Sequence, residues 1–373
     1  MTTQANGQQK YTLEAIKQDT ESVMALLHSF TVHPSATLLS FSLLPPLSMY
    51  AVESYRAMKT LNHLPPAQLE KLLEILKPFR HRAKQLDSPE KTVEQVAIDL
   101  SEFAESQRRF FLDSHTGFLS SLKRALQPDL GLYTYDGHII TTTHSIAFNF
   151  GQDSDVPKKG FDIGKALGAY TKAMGDFLGI KSTKPVTGST NLPAPVEMRD
   201  IKSQALYKRG PLGRLPAEIA VGLIYLLGNL NNMSLVIQKL LPAGGHTQFR
   251  LKFITAYHAN SNLKAIQGRF IRESALAYGY GGIFNEILGN SDSRWLRKRT
   301  SLRNLLVHYM IDEPLTTGLL PRANWTQAIE HFGSRLTYEA MDSLLDRHVK
   351  RMSSAIEMGF ELDGDPFWYG RVV

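Results

Sequence analysis

A mostly α-helical protein, made of helical bundles with one small β-hairpin inserted, is the fold class that this 373-residue sequence predicts. Three observations carry the prediction. Apolar residues recur at helical spacing over most of the chain, as in Leu13, Ile16, Val23, Leu26 and Leu27, and again in Leu69, Leu72, Leu73, Leu76 and Phe79. The stretch between Leu130 and Phe150 has instead the β-branched and aromatic character of extended chain, with Asp136-Gly137 as its turn. Prolines and glycines punctuate the helical patterns without any fixed repeat.

Taken in order, residues 1–10 are polar and read as a short disordered leader. Residues 11–180 read as an N-terminal helical domain with the hairpin near 130–150. Its proline pairs, Pro45-Pro46 and Pro65-Pro66, and also Ser88-Pro89, fit helix starts, where a missing amide donor costs nothing. Phe161 to Ile180 is helical, weakened by Gly164, Gly168, Gly175 and Gly179. Residues 181–200, opening with the proline-rich Lys181 to Pro195, read as a linker. Residues 201–373 form a C-terminal helical domain, with helices expected over Ala217–Leu241, Gln248–Ala277, Ser293–Ile311 and Thr337–Met358.

The absence of cysteine removes thiol nucleophiles, iron–sulfur clusters and cysteine zinc sites, so catalysis must use oxygen or nitrogen groups. The polar amino terminus leads into no apolar signal core. The most apolar run, Ile219 to Leu230, is broken by Asn229, Asn231 and Asn232 well short of a bilayer span and reads as a buried helix. A cytoplasmic protein with no membrane partner is expected.

The net charge is +7, and it is unevenly spread. Between Ile201 and Arg303, basic residues exceed acidic ones by 11, which leaves the rest of the chain slightly acidic. A basic segment of this kind points to a polyanion, most commonly a nucleic-acid backbone. Its alternative is a helix face turned toward acidic residues between Asp312 and Asp365 of the same chain.

The densest functional stretch runs from Arg294 to Tyr309. On a helix, Leu302, Leu305, Leu306 and Tyr309 form one apolar stripe that must face the core, and Arg303, Asn304 and His308 fall on the other side. Asn304 and His308 are stacked four apart, with Arg303 long enough to swing toward them. An imidazole can move a proton at an RNA 2′-hydroxyl or leaving 5′-oxygen, while a guanidinium steadies the phosphate. Arg294, Arg297, Lys298 and Arg299 would hold the RNA backbone. No metal is called for, and no His-Glu-x-x-His, calcium loop or phosphate-cradling glycine loop is present.

Arg303-Asn304-Leu305-Leu306-Val307-His308 resembles the signature of the HEPN superfamily: Arg, four residues, then His, often with a polar residue directly after the Arg. Phe249 to His258 is similar to the earlier long helix of larger members. The resemblance spans about Ala217 to Met358 and implies a HEPN-like C-terminal domain. It implies a metal-independent endoribonuclease that uses no cofactor and works as a homodimer on RNA, in phage defence or a toxin system with an antitoxin or defence partner. Arg303 and His308 would be catalytic and Asn304 supporting. The tyrosine that one subgroup places two residues after the His is here Met310, so that subgroup's modification is not implied.

Other signals point to structure. Gly279-Tyr-Gly-Gly282 fits a helix cap and turn. His138 and His144 would share one strand face if the chain stayed straight, but no third metal ligand accompanies them; both read as surface residues. His258 reads as a hydrogen-bonded core residue, and Trp368 and Tyr369 as anchors of the tail. Two further functions compete: a non-catalytic HEPN-like interaction or nucleotide-sensing module, favoured by a buried, hydrogen-bonded His308, and a helical enzyme acting on a small molecule in a pocket between the two halves, favoured by a closed apolar pocket near the hairpin and remote from Arg303.

Overall fold

The computed structural model describes residues 2–30, 36–63, 65–85, 128–150, 156–181, 195–241, 244–268, 280–310, 325–334 and 336–362. They form a mostly helical fold with one small sheet. Three long helices come first: α1 (Thr2–Phe30), α2 (Ala36–Thr60) and α3 (Gln68–Gln85). The hairpin β1 (Leu130–Tyr135) and β2 (His138–Thr142) leads directly into α4 (Thr143–Phe150) and then α5 (Val156–Phe177). After β3 (Val196–Ile201) come the short α6 (Ser203–Tyr207) and the apolar α7 (Ala217–Asn231), which continues through a π-helical segment, Asn232–Ile237, to Leu240. The rest is α8 (His246–Ile266), α9 (Tyr280–Leu288), α10 (Ser291–Arg297), α11 (Thr300–His308), α12 (Trp325–Phe332) and α13 (Tyr338–Gly359).

The Asp136-Gly137 turn has both residues at positive φ, 53° and 79°, as a two-residue hairpin matched to strand twist requires. The hairpin is not alone, however. Residues 196–200, expected within a linker, belong to β3, which pairs antiparallel with β1 (Leu132 opposite Arg199, Tyr133 opposite Met198) and makes a sheet of order β2-β1-β3. On the far side α7 lies against β2. Gly228 permits this approach, since a Cβ there would sit 3.2 Å from the Ile140 carbonyl oxygen. Asn231 then donates to the Ile139 carbonyl at 3.0 Å.

Elements from both halves of the chain contribute to one hydrophobic core: Tyr11, Ile16 and Tyr50 from the first helices, and Phe249, Leu302, Leu306 and Met352 from the last. Helices α1 and α2 pack on α8 and α11 respectively. Ala217–Leu240 is, among the described residues, the one helix long and apolar enough to cross a membrane, and 78% of its most apolar window is buried in this core.

Several boundaries differ from the sequence reading. Helix α1 begins at Thr2, so residues 2–10 extend the helix whose face is anchored by buried Tyr11, Ala15 and Ile16, where a disordered leader is expected. Pro45 and Pro46 lie inside α2 rather than at a helix start. Burial of Leu43, Leu44 and Leu47 on either side of them offsets the two missing ladder donors. Pro66 does stand at a start, its carbonyl accepting from Leu69 at 2.9 Å just before α3. The helix expected over Ser293–Ile311 is two helices broken at Lys298-Arg299, and Gly281 and Gly282 are in the first turn of α9 rather than in a cap. Ser88-Pro89, Gly279, Trp368 and Tyr369 lie outside the described residues.

Candidate functional site

Helix α11 carries the Arg-x4-His motif. Its core stripe is as the spacing requires: Leu302, Leu305, Leu306 and Tyr309 are all buried, and Val307 joins them. Arg303, Asn304 and His308 are half-buried on the remaining side. Arg303 Nη1 donates to Asn304 Oδ1 at 3.0 Å.

His308 finds its partner in the other half of the chain. Its Nδ1 is 2.9 Å from Oε2 of Glu53, a buried carboxylate on α2, and its ring is 32% exposed. An ionised carboxylate only accepts, so Nδ1 carries the proton and the neutral ring keeps its acceptor lone pair on Nε2. Glu53 Oε1 accepts from Arg80 Nε of α3 at 2.5 Å, and the half-exposed Arg56 stands 3.7 Å from the same oxygen. A buried carboxylate is tolerable only with such pairing.

The end of α11 is fixed just as firmly. Tyr309 caps it in the left-handed region, φ 56°, a conformation costing roughly 1–2 kcal/mol for a side chain of this kind. Three bonds offset that cost. Its amide donates to the Leu305 carbonyl at 2.9 Å, its carbonyl accepts from Thr12 Oγ1 at 2.6 Å, and its hydroxyl donates to Asp19 of α1. Burial pushes the Tyr309 phenol well above its ordinary range, which keeps it a donor.

Asp19 also accepts from Thr247 at 2.7 Å, is 2.8 Å from His246 Nδ1, and pairs with Arg250 Nη1 at 3.1 Å. Burial alone would raise this carboxyl, but the charges of His246 and Arg250 outweigh it and hold the group down at about 2. Arg250 in turn donates to the Leu306 carbonyl at 2.5 Å and lies over the Tyr309 ring, 4.6 Å from its centroid. Two acids, from α1 and α2, thus grip consecutive residues at the end of the motif helix.

The basic stretch is less exposed than its composition implies. Arg250 is fully buried, and Lys252, 2% exposed, pairs with Asp342 and Asp346 of α13 at 2.7 Å each. This is the intramolecular alternative, realised for part of the excess. Arg294 and Lys298 are exposed, and Arg297 and Arg299 are half-buried. Arg294 donates to the Gly289 carbonyl at 3.0 Å, and Arg299 lies 5.5 Å from the Trp295 ring centroid, its pKa lowered by burial.

His138 and His144 do not share a strand face, because the chain turns into α4 at Thr143. His138 is 2.8 Å from Glu357, while His144, buried rather than on the surface, is 2.9 Å from the Tyr207 hydroxyl. His258 is in the core as expected. No group of three or more His, Asp or Glu side chains among the described residues is arranged to hold a metal ion. An open groove of about 540 Å³ between α3 and α5 is lined by Leu72, Ile75, Phe79, Phe150, Ile163 and Ala166, with Glu74, Asp162 and Lys165 among them and no imidazole or hydroxyl.

Glu53, Arg80 and Asp19 are the site residues that motif reading misses. Of the three only Glu53 leaves a trace in the sequence, a lone carboxylate in the mostly apolar helical run Ala51-Val52-Glu53-Ser54-Tyr55, whereas Asp19 is lost in the polar run Lys17-Gln18-Asp19-Thr20-Glu21. The chain matches no protein-family model, no curated protein and no solved structure.

Proposed function

We propose that this protein is a metal-independent endoribonuclease of HEPN type, acting in phage defence or a toxin system, with His308 as proton acceptor and Arg303 as phosphate clamp. The observation that carries the reading is the carboxylate–imidazole pair at the last residue of the Arg-x4-His motif. Glu53 fixes the ring tautomer, so that Nε2 takes the proton of an RNA 2′-hydroxyl, and its negative charge steadies the imidazolium that results. The freed 2′-oxygen attacks phosphorus and the bond to the 5′-oxygen breaks, the departing oxygen taking a proton from water and the His308 imidazolium later returning its own to solvent, which leaves a 2′,3′-cyclic phosphate and a 5′-hydroxyl. Arg303 would stabilise the charge that builds on the phosphoryl oxygens, with Asn304 orienting its guanidinium. Arg294, Arg297, Lys298 and Arg299, on the neighbouring α10 and the α10–α11 connection, would take the flanking phosphates.

Cleavage of single-stranded RNA is expected to persist in excess chelator and to stop when the 2′-oxygen is methylated. His308→Ala should slow it by about 10²- to 10⁴-fold, with Arg303→Ala similarly impaired and both variants keeping the wild-type circular dichroism. Wild-type turnover in His308→Ala would end the reading.

A second reading rests on the same bond. A half-buried His308 bridging α11 to α2 is also what a non-catalytic interaction module would hold for architecture. In that case His308→Ala lowers the melting temperature and no RNA is cleaved by any form of the protein.

A further inference from the structure

The two edges of the sheet are treated differently. The β2 edge is covered by α7, whose Asn231 reaches the Ile139 carbonyl. At the opposite edge, β1 is the only strand paired with β3 among the described residues. The four central residues of β3, Glu197-Met-Arg-Asp200, are all exposed, whereas β1 is buried along nearly its whole length. Met198 is 64% exposed, one of the few large apolar side chains so open. Neither Glu197 nor Arg199 has an ion-pair partner among the described residues.

An edge strand with free amides and carbonyls is a template for another strand. Charges on such an edge usually repel a second copy, and their order decides whether they do so here. When two β3 strands run antiparallel about a two-fold axis through Met198, Glu197 stands opposite the partner's Arg199, and Arg199 opposite the partner's Glu197. Met198 meets its own counterpart on the other face. Shifting the register by two residues, the smallest shift that keeps each side chain on its face of the sheet, instead sets Arg199 or Glu197 against its own counterpart, two like charges. One register is therefore self-complementary, and its neighbour is penalised.

We propose that the β3 edge is a self-association surface, through which two copies of this chain join their sheets into one continuous six-stranded sheet centred on Met198. The interface is isologous, as a two-fold axis requires. It is independent of the ribonuclease reading, because no residue of α11 takes part.

Sedimentation of the full chain over a range of concentrations at low salt tests the proposal. Wild type should form a reversible dimer. Glu197→Arg and Arg199→Glu should each weaken it by about tenfold or more, since each places like charges opposite one another twice, and the double variant should restore it. The chain contains no cysteine, so Met198→Cys offers a clean trap. Directly opposed residues of an antiparallel pair have Cα atoms about 4.5–5.5 Å apart, within disulfide reach. Mild oxidation should cross-link Met198→Cys at least about tenfold faster than Phe161→Cys, whose position is more exposed but lies off the sheet. A monomer at every concentration overturns the proposal. So does a dimer indifferent to charge reversal, cross-linking no faster than the control, or capture of a foreign strand by an edge that does not pair with itself.

Discussion

Asp19 is completely buried and faces four donors, from His246, Thr247, Arg250 and Tyr309. Removing its charge takes from the buried Arg250 guanidinium the carboxylate it pairs with, and breaking a buried pair in this way costs about 3–5 kcal/mol. Asp19→Asn should therefore lower the unfolding free energy measured in urea by that order, and a loss under about 1 kcal/mol would show the network to be dispensable. Two buried histidines act through pH instead. Burial pushes His348 and His144 down to about 4 from the usual 6.5, so in the folded state both stay neutral where the unfolded chain is protonated. Their effect on stability is therefore absent above about pH 6.5 and grows as a loss on acidification toward pH 4. His348→Gln should flatten the plot of urea midpoint against pH across that window; a slope equal to wild type would remove His348 from the account.

At the scale of elements, side-chain period was informative wherever one face of a helix is buried. Tyr338–Gly359 and Ala217–Leu240 match the apolar patterns to within a residue, and Thr337 caps the former by accepting from the Ala340 amide at 3.2 Å. Period said nothing of the break between α10 and α11, because the apolar phase carries on across Lys298-Arg299. The break comes from backbone geometry at Arg299, φ −107° and ψ 41°. β3 was illegible for a related reason: an edge strand exposed along its four central residues has no alternation to read. The prolines of α2 misled because proline marks a helix start only when nothing stronger holds the surrounding turns.

For the whole molecule, the decisive fact is that the motif helix is held by the first fifty-odd residues. Asp19 and Glu53 both come from helices far from α11 in sequence, and α1 and α2 share a core with α8 and α11. Residues 201–373 expressed alone would leave Arg250 buried without Asp19 and expose the faces of α8 and α11 that α1 and α2 cover. That fragment should lack a cooperative unfolding transition. A fragment that melts cooperatively, with dispersed amide resonances, would show instead that the C-terminal half is an independent domain.

By itself the sequence determined the fold class, the Asp136-Gly137 hairpin, the buried nature of Ala217–Leu240, and the core stripe of α11 with Arg303, Asn304 and His308 left off it. All of these follow from local rules, namely side-chain period, turn stereochemistry and the cost of burying charge. Tertiary structure alone decided that His308 meets Glu53, that Tyr309 is held by Asp19, and that Lys252 spends its charge on Asp342 and Asp346 rather than on solvent. Partners of this kind lie about 90 to 290 residues apart. A single chain carries no record of such pairings in its spacing, because what joins the two groups is the packing of the helices that bear them.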